Sequence, residues 1–473
     1  MTASRAPSTQ KGAPCCLSNN PPSFLTKGGV VAASGGTQPV PMRDYYDDDF
    51  LSRDEIAALQ DERLREAVGR ASKSPFYGAK FNECGIAPSS FSGLDGLRKL
   101  PFTTKSDLRS QMPYGLLAVP RTEIVRMHYS SGTTGIATAV YHTADDLRYW
   151  AECVARGMRG VGLTSEDVFQ NMMGYGLFTG GLGFHYASEL VGCMTIPSSA
   201  GNTARQVQLM KDFGTTGVHI LPSYALRVVH HCEEVGVDIK RDLQLRVGFI
   251  GAEPHTEKTR QRVEQMLGVK IYNCYGLSEM AGPGVALECP QQDGLHVRED
   301  HYLAEIIDPE TLEPMPDGEP GELVLTSLRR QAMPLIRYRT RDITSFKPDG
   351  CACGRQHRRI ERITGRSDDM LIIRGVNIYP LQVERVLMGI EEVGSNYLIK
   401  LETNNEMDDM VVQVELRPGV FFDEMRRIET LRQHIVAELK SELLFTPKVE
   451  IHQPHALPVS EGKAVRVVDE RTK

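Results

Sequence analysis

The spacing of hydrophobic residues separates helical from strand-like segments along most of the chain. Apolar side chains recur with a helical period over residues 52–72 and 256–267. Residues 217–221 and 245–251, by contrast, are short apolar runs bounded by turn residues. Segments of the two kinds follow one another from about residue 45 to residue 365, and this alternation predicts helices layered around a mostly parallel sheet. The predicted fold class is therefore α/β.

Two further patterns lie outside this alternation. Residues 319–327 alternate apolar and polar positions after a turn, which predicts a small, half-exposed, barrel-like antiparallel sheet. Near residue 365 the chain becomes polar and then gives a short strand, a glycine turn and a helix, and residues 423–444 form a second, amphipathic helix. These changes predict a large domain over residues 44–366 and a small α+β domain over residues 367–473.

The first 43 residues have a different composition. They contain no Asp or Glu and are rich in Ser, Thr, Gly and Pro, so they cannot bury enough apolar surface to offset their chain entropy. We predict a disordered leader over residues 1–43. An organelle transit peptide and a misassigned start codon are the alternatives, and Cys15 and Cys16 are interpreted as incidental rather than as a palmitoylation site.

Composition and charge exclude several classes of protein. The 473 residues include 54 Lys and Arg against 61 Asp and Glu, and the net charge of −7 is opposite to that of a typical nucleic-acid-binding protein. No apolar run approaches the roughly 18 residues of a membrane-spanning helix. Ten irregularly spaced cysteines are too sparse for a disulfide scaffold. We therefore expect a cytoplasmic protein with reduced or metal-bound thiols and with no nucleic-acid or membrane partner.

A stretch rich in Ser, Thr and Gly is the sharpest local signal. Hydroxyl side chains interspersed with glycines permit tight turns whose N–H and O–H groups converge on phosphate oxygens. The stretch lacks the Gly-Lys-Ser/Thr ending of a P-loop, and a flexible surface loop is the alternative interpretation. The residues predicted to bind phosphate here are Ser130, Ser131, Gly132, Thr133, Thr134 and Gly135.

Other polar motifs follow predicted strands, which is where ligands bind in α/β sheets. Tyr275 and Gly276 come directly after a strand-like run, and an aromatic ring in that place can stack on adenine. Glu279 follows with a carboxylate that is able to hold Mg²⁺. The remaining motifs contain, in chain order, Gly251, Ala252, Glu253, Asp342, Arg366, Asp368 and Lys463.

Taken in order, these motifs resemble those of the adenylate-forming (acyl-CoA synthetase/luciferase-like) superfamily. Residues 174–181, 275–289, 336–342 and 365–380 resemble its phenylacetate–CoA ligase branch in particular. The resemblance implies a large AMP-binding domain, a small mobile C-terminal domain and an AMP-forming acid–thiol ligase. In the implied reaction a carboxylate attacks the α-phosphate of ATP·Mg to give an acyl-adenylate and pyrophosphate, and a thiol then displaces AMP.

The resemblance also assigns roles to the matching residues. Residues 130–135 would hold the β- and γ-phosphates, Tyr275 would stack on adenine and Glu279 would position Mg²⁺. Asp342 would hold the ribose hydroxyls, and Arg366 would reach the ribose and phosphate region. These roles agree with physical expectation, because transfer at phosphorus is catalysed mainly by positioning and charge neutralisation.

Lys463 is the predicted catalytic lysine. Its ammonium would bridge the substrate carboxylate and the α-phosphate, two anions that otherwise repel each other; a solvated lysine in a basic tail is the competing interpretation. Asp368 matches the hinge of the family, at which rotation would withdraw Lys463 and present the loop of Gly375 to CoA. The alternative for Asp368 is a plain surface turn.

The sequence departs from the branch pattern at several positions. Ile136 and Ala137 stand where Lys and Pro are usual, which removes a positive charge from the phosphate loop. His255 replaces an aromatic residue and would face the acyl pocket or the nucleotide, unless it is a solvated histidine at a helix start. Val459 stands where an Arg is common.

A second constellation consists of cysteines and a histidine. A tight C-x-C pair lies downstream of a Cys and a His that are close in sequence, and four such ligands in two pairs fit a closed tetrahedral Zn²⁺ site. We predict a structural zinc ion that staples the small sheet, with His301 and His357 as alternative ligands. Unpaired reduced thiols are the competing interpretation. The four predicted ligands are Cys289, His296, Cys351 and Cys353.

The branch prefers aryl or arylacetic acids. Glycines and aromatic residues over residues 172–184 would form a flat slot for an aromatic ring, and the segment after residue 222 would line its far wall. Simple core packing is the alternative for these aromatic residues, and His219 or His255 would be placed to read a polar substituent. The predicted pocket residues are Tyr175, Gly176, Phe178, Gly181, Ser223 and Tyr224.

We therefore predict a ligase that uses ATP and Mg²⁺ to activate an aromatic carboxylic acid and then transfers it to CoA. The alternative within the same chemistry is the loading of a phosphopantetheinyl carrier protein, or amide formation. A catalytically idle nucleotide- or acyl-adenylate-binding protein is the alternative of another class. A homodimer is the default expectation for the assembly.

Overall fold

The computed structural model describes residues 47–129, 138–177, 179–348, 350–369, 371–373, 376–404, 407–420, 425–458 and 465–471. The predicted leader, residues 1–43, lies outside them. The α-helices are α1 (Arg53–Ala71), α2 (Pro75–Glu83), α3 (Lys105–Ser110), α4 (Ala144–Gly160), α5 (Gly180–Val191), α6 (Thr203–Phe213), α7 (Pro222–Glu234), α8 (Ile239–Asp242), α9 (Glu257–Leu267), α10 (Pro380–Leu387) and α11 (Met425–Leu443). The strands are β1 (Arg126–Tyr129), β2 (Ala139–His142), β3 (Val168–Asn171), β4 (Met194–Ile196), β5 (Gly217–Ile220), β6 (Val247–Gly251), β7 (Lys270–Leu277), β8 (Gly282–Glu288), β9 (Leu295–Val297), β10 (Tyr302–Ile307), β11 (Gly321–Ser327), β12 (Tyr338–Thr344), β13 (Arg359–Ile360), β14 (Gly365–Arg366), β15 (Leu371–Ile373), β16 (Val376–Ile378), β17 (Val393–Asn404), β18 (Met407–Leu416), β19 (Lys448–His452) and β20 (Val467–Asp469).

Capping side chains fix where the long helices begin. The Ser52 hydroxyl accepts the N–H of Glu55, and the Glu55 carboxylate accepts the N–H of Ser52, which closes a capping box at the start of α1. Thr143 and Asp146 form the same box at α4. The helices predicted over residues 52–72 and 256–267 are thus confirmed, with the polar first residue acting as the cap. Among the described helices, none is long and apolar enough to cross a bilayer.

An eight-stranded sheet forms the largest layer. Its order is β13-β9-β8-β7-β6-β5-β3-β4, in which β3 to β7 run parallel and β8, β9 and β13 run antiparallel. The apolar runs at β5 and β6 are buried along their whole length, because helices cover both faces of a parallel sheet. The predicted mostly parallel α/β layer is therefore present.

The smaller sheet differs from its prediction in one respect. Its order is β10-β11-β12-β14, and all its pairs are antiparallel, as expected. Every residue of β11 is buried, however, so the expected half-exposed face is wrong for this strand. The reason is that β11 is an inner strand and packs into the core that includes Leu64 and Val68 of α1. Polar residues of β11 are buried with partners, as when Glu322 accepts from Arg339.

The C-terminal segment, from β15 onward, has a separate hydrophobic core. Its four-stranded sheet has the order β19-β18-β17-β20, with β17 antiparallel to β18 and the outer strands parallel to their neighbours. The buried side chains of this core come from the β15–β16 hairpin, α10, α11 and this sheet. The strand, turn and helix predicted after residue 365 correspond to the β15–β16 hairpin and α10.

Candidate active site

A row of hydrogen-bonded side chains links the eight-stranded sheet to the smaller sheet β10-β11-β12-β14. Tyr275, on β7, donates its hydroxyl proton to Asp342 Oδ2 at 2.5 Å. Arg366 is paired with Asp342 in the register of β12 and β14, and it donates Nη1 to Asp342 Oδ1 at 3.0 Å. The other edge of the same guanidinium donates to the Asp368 carboxylate, from Nε at 2.8 Å and from Nη2 at 3.0 Å. The fold thus brings together four residues that were predicted from three separate motifs.

Burial and charge set the protonation states in this row. Burial raises the pKa of the Asp342 carboxyl, while the positive charge of Arg366 lowers it. Burial and the neighbouring Asp342 charge raise the pKa of the Tyr275 hydroxyl well above its usual value, so Tyr275 stays a donor. Burial opposes the charge of Arg366, yet Asp342 and Asp368 raise its pKa. A carboxylate has about four lone-pair sites, so Asp342 can accept further donors from a ligand.

Glu279 lies beside this row in the short turn between β7 and β8. Its side chain is buried, and its Oε1 lies 3.4 Å from Nζ of Lys105, the first residue of α3. Arg330 donates to the backbone carbonyl oxygen of Glu279. Neither Lys105 nor Arg330 was predicted as a site residue, because each lies far from Glu279 in sequence and carries no local motif.

A close backbone approach explains the glycine next to Tyr275. A Cβ atom at Gly276 would lie 2.0 Å from the carbonyl oxygen of Gly282, and the pairing of β7 with β8 shifts register at this point. Strand β7 continues to Leu277, so Tyr275 and Gly276 lie within the strand rather than after it. The motif was therefore misplaced by a few residues relative to the strand end.

The next predicted nucleotide-binding motif follows β6. Gly251 ends the strand, and Ala252 has a φ of 63°, a left-handed conformation. Ser223 donates its hydroxyl to Glu253 Oε1 at 3.0 Å and its N–H to Oε2 at 3.3 Å, so a predicted acyl-pocket residue holds a predicted nucleotide-binding residue. His255 is buried, with its Nδ1 3.1 Å from the Glu253 carbonyl oxygen, so its interpretation as a solvated histidine is wrong.

A buried polar network surrounds the predicted acyl segment. Asn171, at the end of β3, donates Nδ2 to the Tyr175 hydroxyl at 2.8 Å and to the Gly181 carbonyl at 2.6 Å. Its Oδ1 lies 3.2 Å from Nδ1 of His219, whose ring stacks on Phe184 at 3.8 Å between centroids. Burial lowers the pKa of His219 to about 3, so the imidazole is neutral. Sequence reasoning missed Asn171, although a polar residue at the carboxyl end of a strand is itself a signal.

The other predicted pocket residues have different surroundings. Gly176 has a φ of 104°, which a side chain rarely tolerates, so the chain turns sharply after Tyr175. The Tyr224 hydroxyl donates to the Gly201 carbonyl at 3.1 Å and lies 3.3 Å from the Thr203 hydroxyl. Tyr224 is thereby held by the loop before α6 rather than by the network around Asn171.

Several predicted site residues lie outside the described residues. The flanks of the predicted phosphate loop are nevertheless in place, since β1 ends at Tyr129, whose N–H donates to the Leu177 carbonyl at 3.0 Å. This bond places the end of β1 next to the predicted acyl segment. The predicted residues that the structure does not describe are Ser130, Ser131, Gly132, Thr133, Thr134, Gly135, Phe178, Gly375 and Lys463.

The four predicted zinc ligands lie together. Their ligand atoms are all within 4.8 Å of one another, with the Cys289 and Cys351 sulfurs 3.6 Å apart and the Cys353 sulfur 3.4 Å from His296 Nε2. Zn–S bonds of about 2.3 Å at tetrahedral angles place two sulfurs about 3.8 Å apart, so the geometry fits zinc. His296 Nδ1 lies 3.1 Å from the His357 carbonyl oxygen, a contact that leaves Nε2 to act as the ligand.

The alternative ligands are engaged elsewhere. His357 lies 2.8 Å from the Asp48 carbonyl through Nε2 and accepts the Glu299 N–H through Nδ1, and His301 lies beside Asp300. Burial opposes ionisation of Cys353, yet hydrogen bonds from Arg355 lower the pKa of its thiol.

Comparison with known proteins identifies the family. Residues 91–330 match the family model of the AMP-binding enzymes, and residues 375–471 match that of the AMP-binding enzyme C-terminal domain. The chain is 45% identical to a phenylacetate–coenzyme A ligase of Pseudomonas putida over 423 residues, which cover 89% of this chain and 95% of the relative. A phenylacetate–coenzyme A ligase of Escherichia coli is 42% identical over 89% of this chain and 96% of its own length. The chain belongs to the AMP-binding enzyme family.

This AMP-binding enzyme is also similar to one ligase solved in several states. A 2-hydroxyisobutyryl-CoA ligase in the postadenylation state, in complex with 2-HIB-AMP, gives a TM-score of 0.84 at 28% identity, with 92% of this chain and 94% of that chain covered. The same ligase with 2-HIB-AMP and CoA in the thioesterification state gives 0.66 at 29% identity, with 90% and 91% covered. The predicted superfamily, its phenylacetate–CoA ligase branch and the fold class are confirmed. So is the enzyme class, an AMP-forming acid–thiol ligase, whose reactants include ATP and CoA.

Proposed function

We propose that this enzyme activates an aromatic carboxylic acid, of the aryl or arylacetic type, with ATP and transfers the acyl group to CoA. The observation that carries the proposal is the similarity to phenylacetate–CoA ligases, at 45%, 44%, 44% and 42% identity over 89% of this chain in each case. The similarity extends over both matched regions and nearly the full length of these relatives, which supports a shared substrate class as well as a shared fold.

The proposed reaction has two balanced steps. In the first, a carboxylate oxygen of the acid forms a bond to the α-phosphorus of ATP, and the bond to pyrophosphate breaks as pyrophosphate leaves with the electron pair. In the second, the CoA sulfur forms a bond to the acyl carbon, the bond to AMP breaks and the thiol proton passes to solvent. Neither step needs an oxidant or a reductant.

The row from Tyr275 to Asp368 supports the proposed nucleotide site. Asp342 accepts two ribose hydroxyls with the lone pairs that Tyr275 and Arg366 leave available, and the hydroxyl contact with Asp342 fixes the Tyr275 ring for stacking on adenine. Glu253, held by Ser223, and the backbone of Gly251 and Ala252 complete the purine side, and residues 130–135 bind the β- and γ-phosphates.

Glu279 is the proposed Mg²⁺ ligand. Its buried carboxylate has an ammonium at 3.4 Å rather than a bidentate guanidinium, so it keeps acceptor sites for a hard cation. When bound, Mg²⁺ neutralises phosphate charge as pyrophosphate departs. The four-ligand cluster of three cysteines and one histidine is proposed to hold a structural Zn²⁺, since all four positions of a tetrahedral ion would be filled by protein.

The acyl group is proposed to bind beside the network around Asn171, with Tyr175, Gly176, Phe178 and Gly181 along one wall. The neutral amide, hydroxyl and imidazole groups of Asn171, Tyr175 and His219 are suited to an uncharged ring, because none of these three groups carries a charge that the ring would desolvate.

We further propose the domain boundary at residues 366–367 and the hinge at Asp368. The gap between the two family matches, residues 331–374, contains this position. Rotation at the hinge would exchange Lys463 for the Gly375 loop at the active site. A homodimer and a cytoplasmic location stay predictions.

Pyrophosphate exchange tests the proposal. Isotope exchange between ATP and pyrophosphate should depend on phenylacetic or benzoic acids and should be at least tenfold slower with acetate or butyrate. Subsequent AMP release should require CoA. Exchange with aliphatic acids alone would contradict the substrate class, and acceptance of a carrier protein or an amine in place of CoA would contradict the acceptor.

A substitution at Lys463 tests the catalytic role proposed for this residue. Lys463→Ala should slow adenylate formation by at least a hundredfold, because even one preorganised hydrogen-bond donor contributes about 2.7–4 kcal/mol to the stability of a charged transition state. Thiolysis of supplied acyl-adenylate should stay within about threefold of the wild-type rate. Lys440→Ala, at an exposed position of α11, is the control and should change neither step. Equal losses in both steps would contradict the assignment.

A further inference from the structure

A buried carboxylate joins α9 to the C-terminal segment. Glu384, on α10, is almost fully buried, and its Oε1 accepts the Thr259 hydroxyl at 2.9 Å and the Thr256 N–H at 3.3 Å. Thr256 is the N-cap of α9, so the carboxylate lies at the positive end of an eleven-residue helix. Its Oε2 accepts the Tyr397 hydroxyl at 3.0 Å from within the C-terminal segment.

An arginine makes a second link across the same place. Arg262, on α9, is buried and donates Nη2 to the Val393 carbonyl oxygen at 3.2 Å, and its Nη1 lies 3.8 Å from the Met388 sulfur. Burial, aided by the charge of Arg417, lowers the pKa of Arg262 to about 10. We call these contacts of Thr256, Thr259 and Arg262 with Glu384 and Val393 the Glu384 junction.

The junction connects the two parts of the chain that match separate family models. Thr256, Thr259 and Arg262 belong to the region matched over residues 91–330, and Glu384 and Val393 belong to the region matched over residues 375–471. The contacts of the junction can therefore exist only in some relative placements of these two parts.

The structural similarities indicate which placement this is. At nearly the same identity and coverage, the TM-score is 0.84 against the postadenylation state of the 2-hydroxyisobutyryl-CoA ligase, 0.66 against its thioesterification state and 0.67 against an open conformation. Because the compared sequence is the same in all three cases, the difference reports the placement of the parts and not their internal folds.

We propose that the Glu384 junction is a latch that holds the C-terminal segment in the placement of the postadenylation state, in which the adenylate has just formed, and that must open before the thiol step. Glu384 and Arg262 are accordingly positioning residues, which act by controlling how often the catalytic tail meets the nucleotide. This inference rests on the proposed two-step function.

The chemistry of the junction suits a contact that is made and broken in every cycle. On the α9 side Glu384 is held by one hydroxyl and one backbone N–H, and Arg262 is held by a carbonyl oxygen and a thioether. Water can replace each of these uncharged partners when the parts separate, whereas Tyr397 stays with Glu384 throughout. Each cross-junction hydrogen bond therefore shifts the placement equilibrium by about fivefold rather than by many orders of magnitude.

Two variants test the latch through one ratio, the rate of ATP–pyrophosphate exchange divided by the rate of thiolysis. Thr259→Val removes one cross-junction hydroxyl with little change in shape, and Arg262→Met removes the other donor while keeping an apolar stem. Each should slow ATP–pyrophosphate exchange by about three- to tenfold and leave thiolysis of supplied acyl-adenylate unchanged or faster. Thr430→Val, at an exposed position of α11, makes the same chemical change away from the junction and should leave the ratio unaltered.

The outcomes are distinguishable from failure of the proposed function. Wild-type exchange with an aromatic acid, together with a lowered ratio in both junction variants, supports the latch. Wild-type exchange with a ratio unchanged in both, or with both half-reactions slowed equally, overturns the latch alone. Absence of wild-type exchange with every acid overturns the proposed function and the latch with it. Thermal melts verify that each variant is folded.

Discussion

The carboxylates of Asp49 and Glu384 are both buried, and they are surrounded by different kinds of donor. Asp49 accepts from Arg156 at 2.5 and 2.7 Å, from Arg298 at 2.8 Å and from Arg355 at 3.0 Å. Glu384 accepts from two hydroxyls and one backbone N–H. We use the name Asp49 cluster for Asp49, Arg156, Arg298, Asp300 and Arg355.

The difference between charged and neutral donors separates a contact that stays closed from one that can open. Burial alone would raise the pKa of Asp49, but the charges of Arg298, Arg156 and Arg355 hold it well below its usual value. The pKa of Glu384, by contrast, is raised by burial against the charge of Arg466, which does not donate to it, and against the effect of its neutral hydrogen-bond donors. Full charges that are buried together are costly to separate, so they belong within one part of the chain. Neutral donors are easily replaced by water, so they belong at a junction that opens.

Breaking the Asp49 cluster should have the largest effect on the stability of the protein. Asp49→Ala removes the carboxylate that three buried guanidinium groups share, of which Arg156 keeps a partner in Asp300, and we expect the free energy of unfolding in urea to fall by about 3–5 kcal/mol. Both half-reactions should decline together with the folded fraction. Asp54→Ala, at an exposed position of α1, is the control. A selective loss of adenylation in Asp49→Ala would break the comparison with the Glu384 junction.

Removing the proposed zinc ion should have an intermediate effect on thermal stability, through the region that holds the Asp49 cluster. Arg355 binds Asp49 and also hydrogen-bonds Cys353, so the proposed metal site is tied to the Asp49 cluster. A chelator should lower the melting temperature of the wild type by about 5 °C, and Cys351→Ser should lower it without further response to chelator. The exposed Cys84→Ser is the matched control. Purified protein without zinc, or without a chelator effect, would remove the metal site.

The smallest expected effect on stability concerns Glu152, a carboxyl beside the cluster whose guanidinium partner, Arg148, lies 3.9 Å away. Burial raises the pKa of Glu152 to about 7, and Arg148, at 3.9 Å, lowers it only in part. The native state therefore binds more protons than the unfolded state between about pH 4.5 and pH 7, and stability falls as the pH rises through that window. Glu152→Gln should flatten this dependence, whereas Glu62→Gln, at an exposed position, should not. An unchanged slope would show that Glu152 is ionised in the native state.

How much the sequence predicts depends on the distance over which a feature is encoded. The helix over residues 52–72 and the buried runs at β5 and β6 are encoded locally and were predicted closely. The grouping of the four proposed zinc ligands follows from the sequence too, because these residues come in two short pairs, whereas the zinc ion itself stays a proposal. The half-exposed face assigned to β11 was wrong, since alternation along one strand does not reveal that another layer covers its polar side.

Residues without a motif were missed altogether. Lys105 meets Glu279, and Asp49 meets Arg298, only because distant segments fold against each other. Glu384 reads in the sequence as an ordinary helix residue, and nothing local marks it as buried. Each of these residues acquires its role from a partner more than a hundred positions away.

The short hairpin that carries Glu279 limits how well the chain tolerates insertions and deletions at this place. Leu277 faces Gly282 in the pairing of β7 with β8, so only four residues separate the strands. The register of two strands thus sets where the Glu279 carboxylate stands, and one added residue would displace it by about 3.3 Å. A scan of insertions and deletions should therefore find residues 278–281 intolerant of any change in length, even at positions where side chains can be exchanged freely.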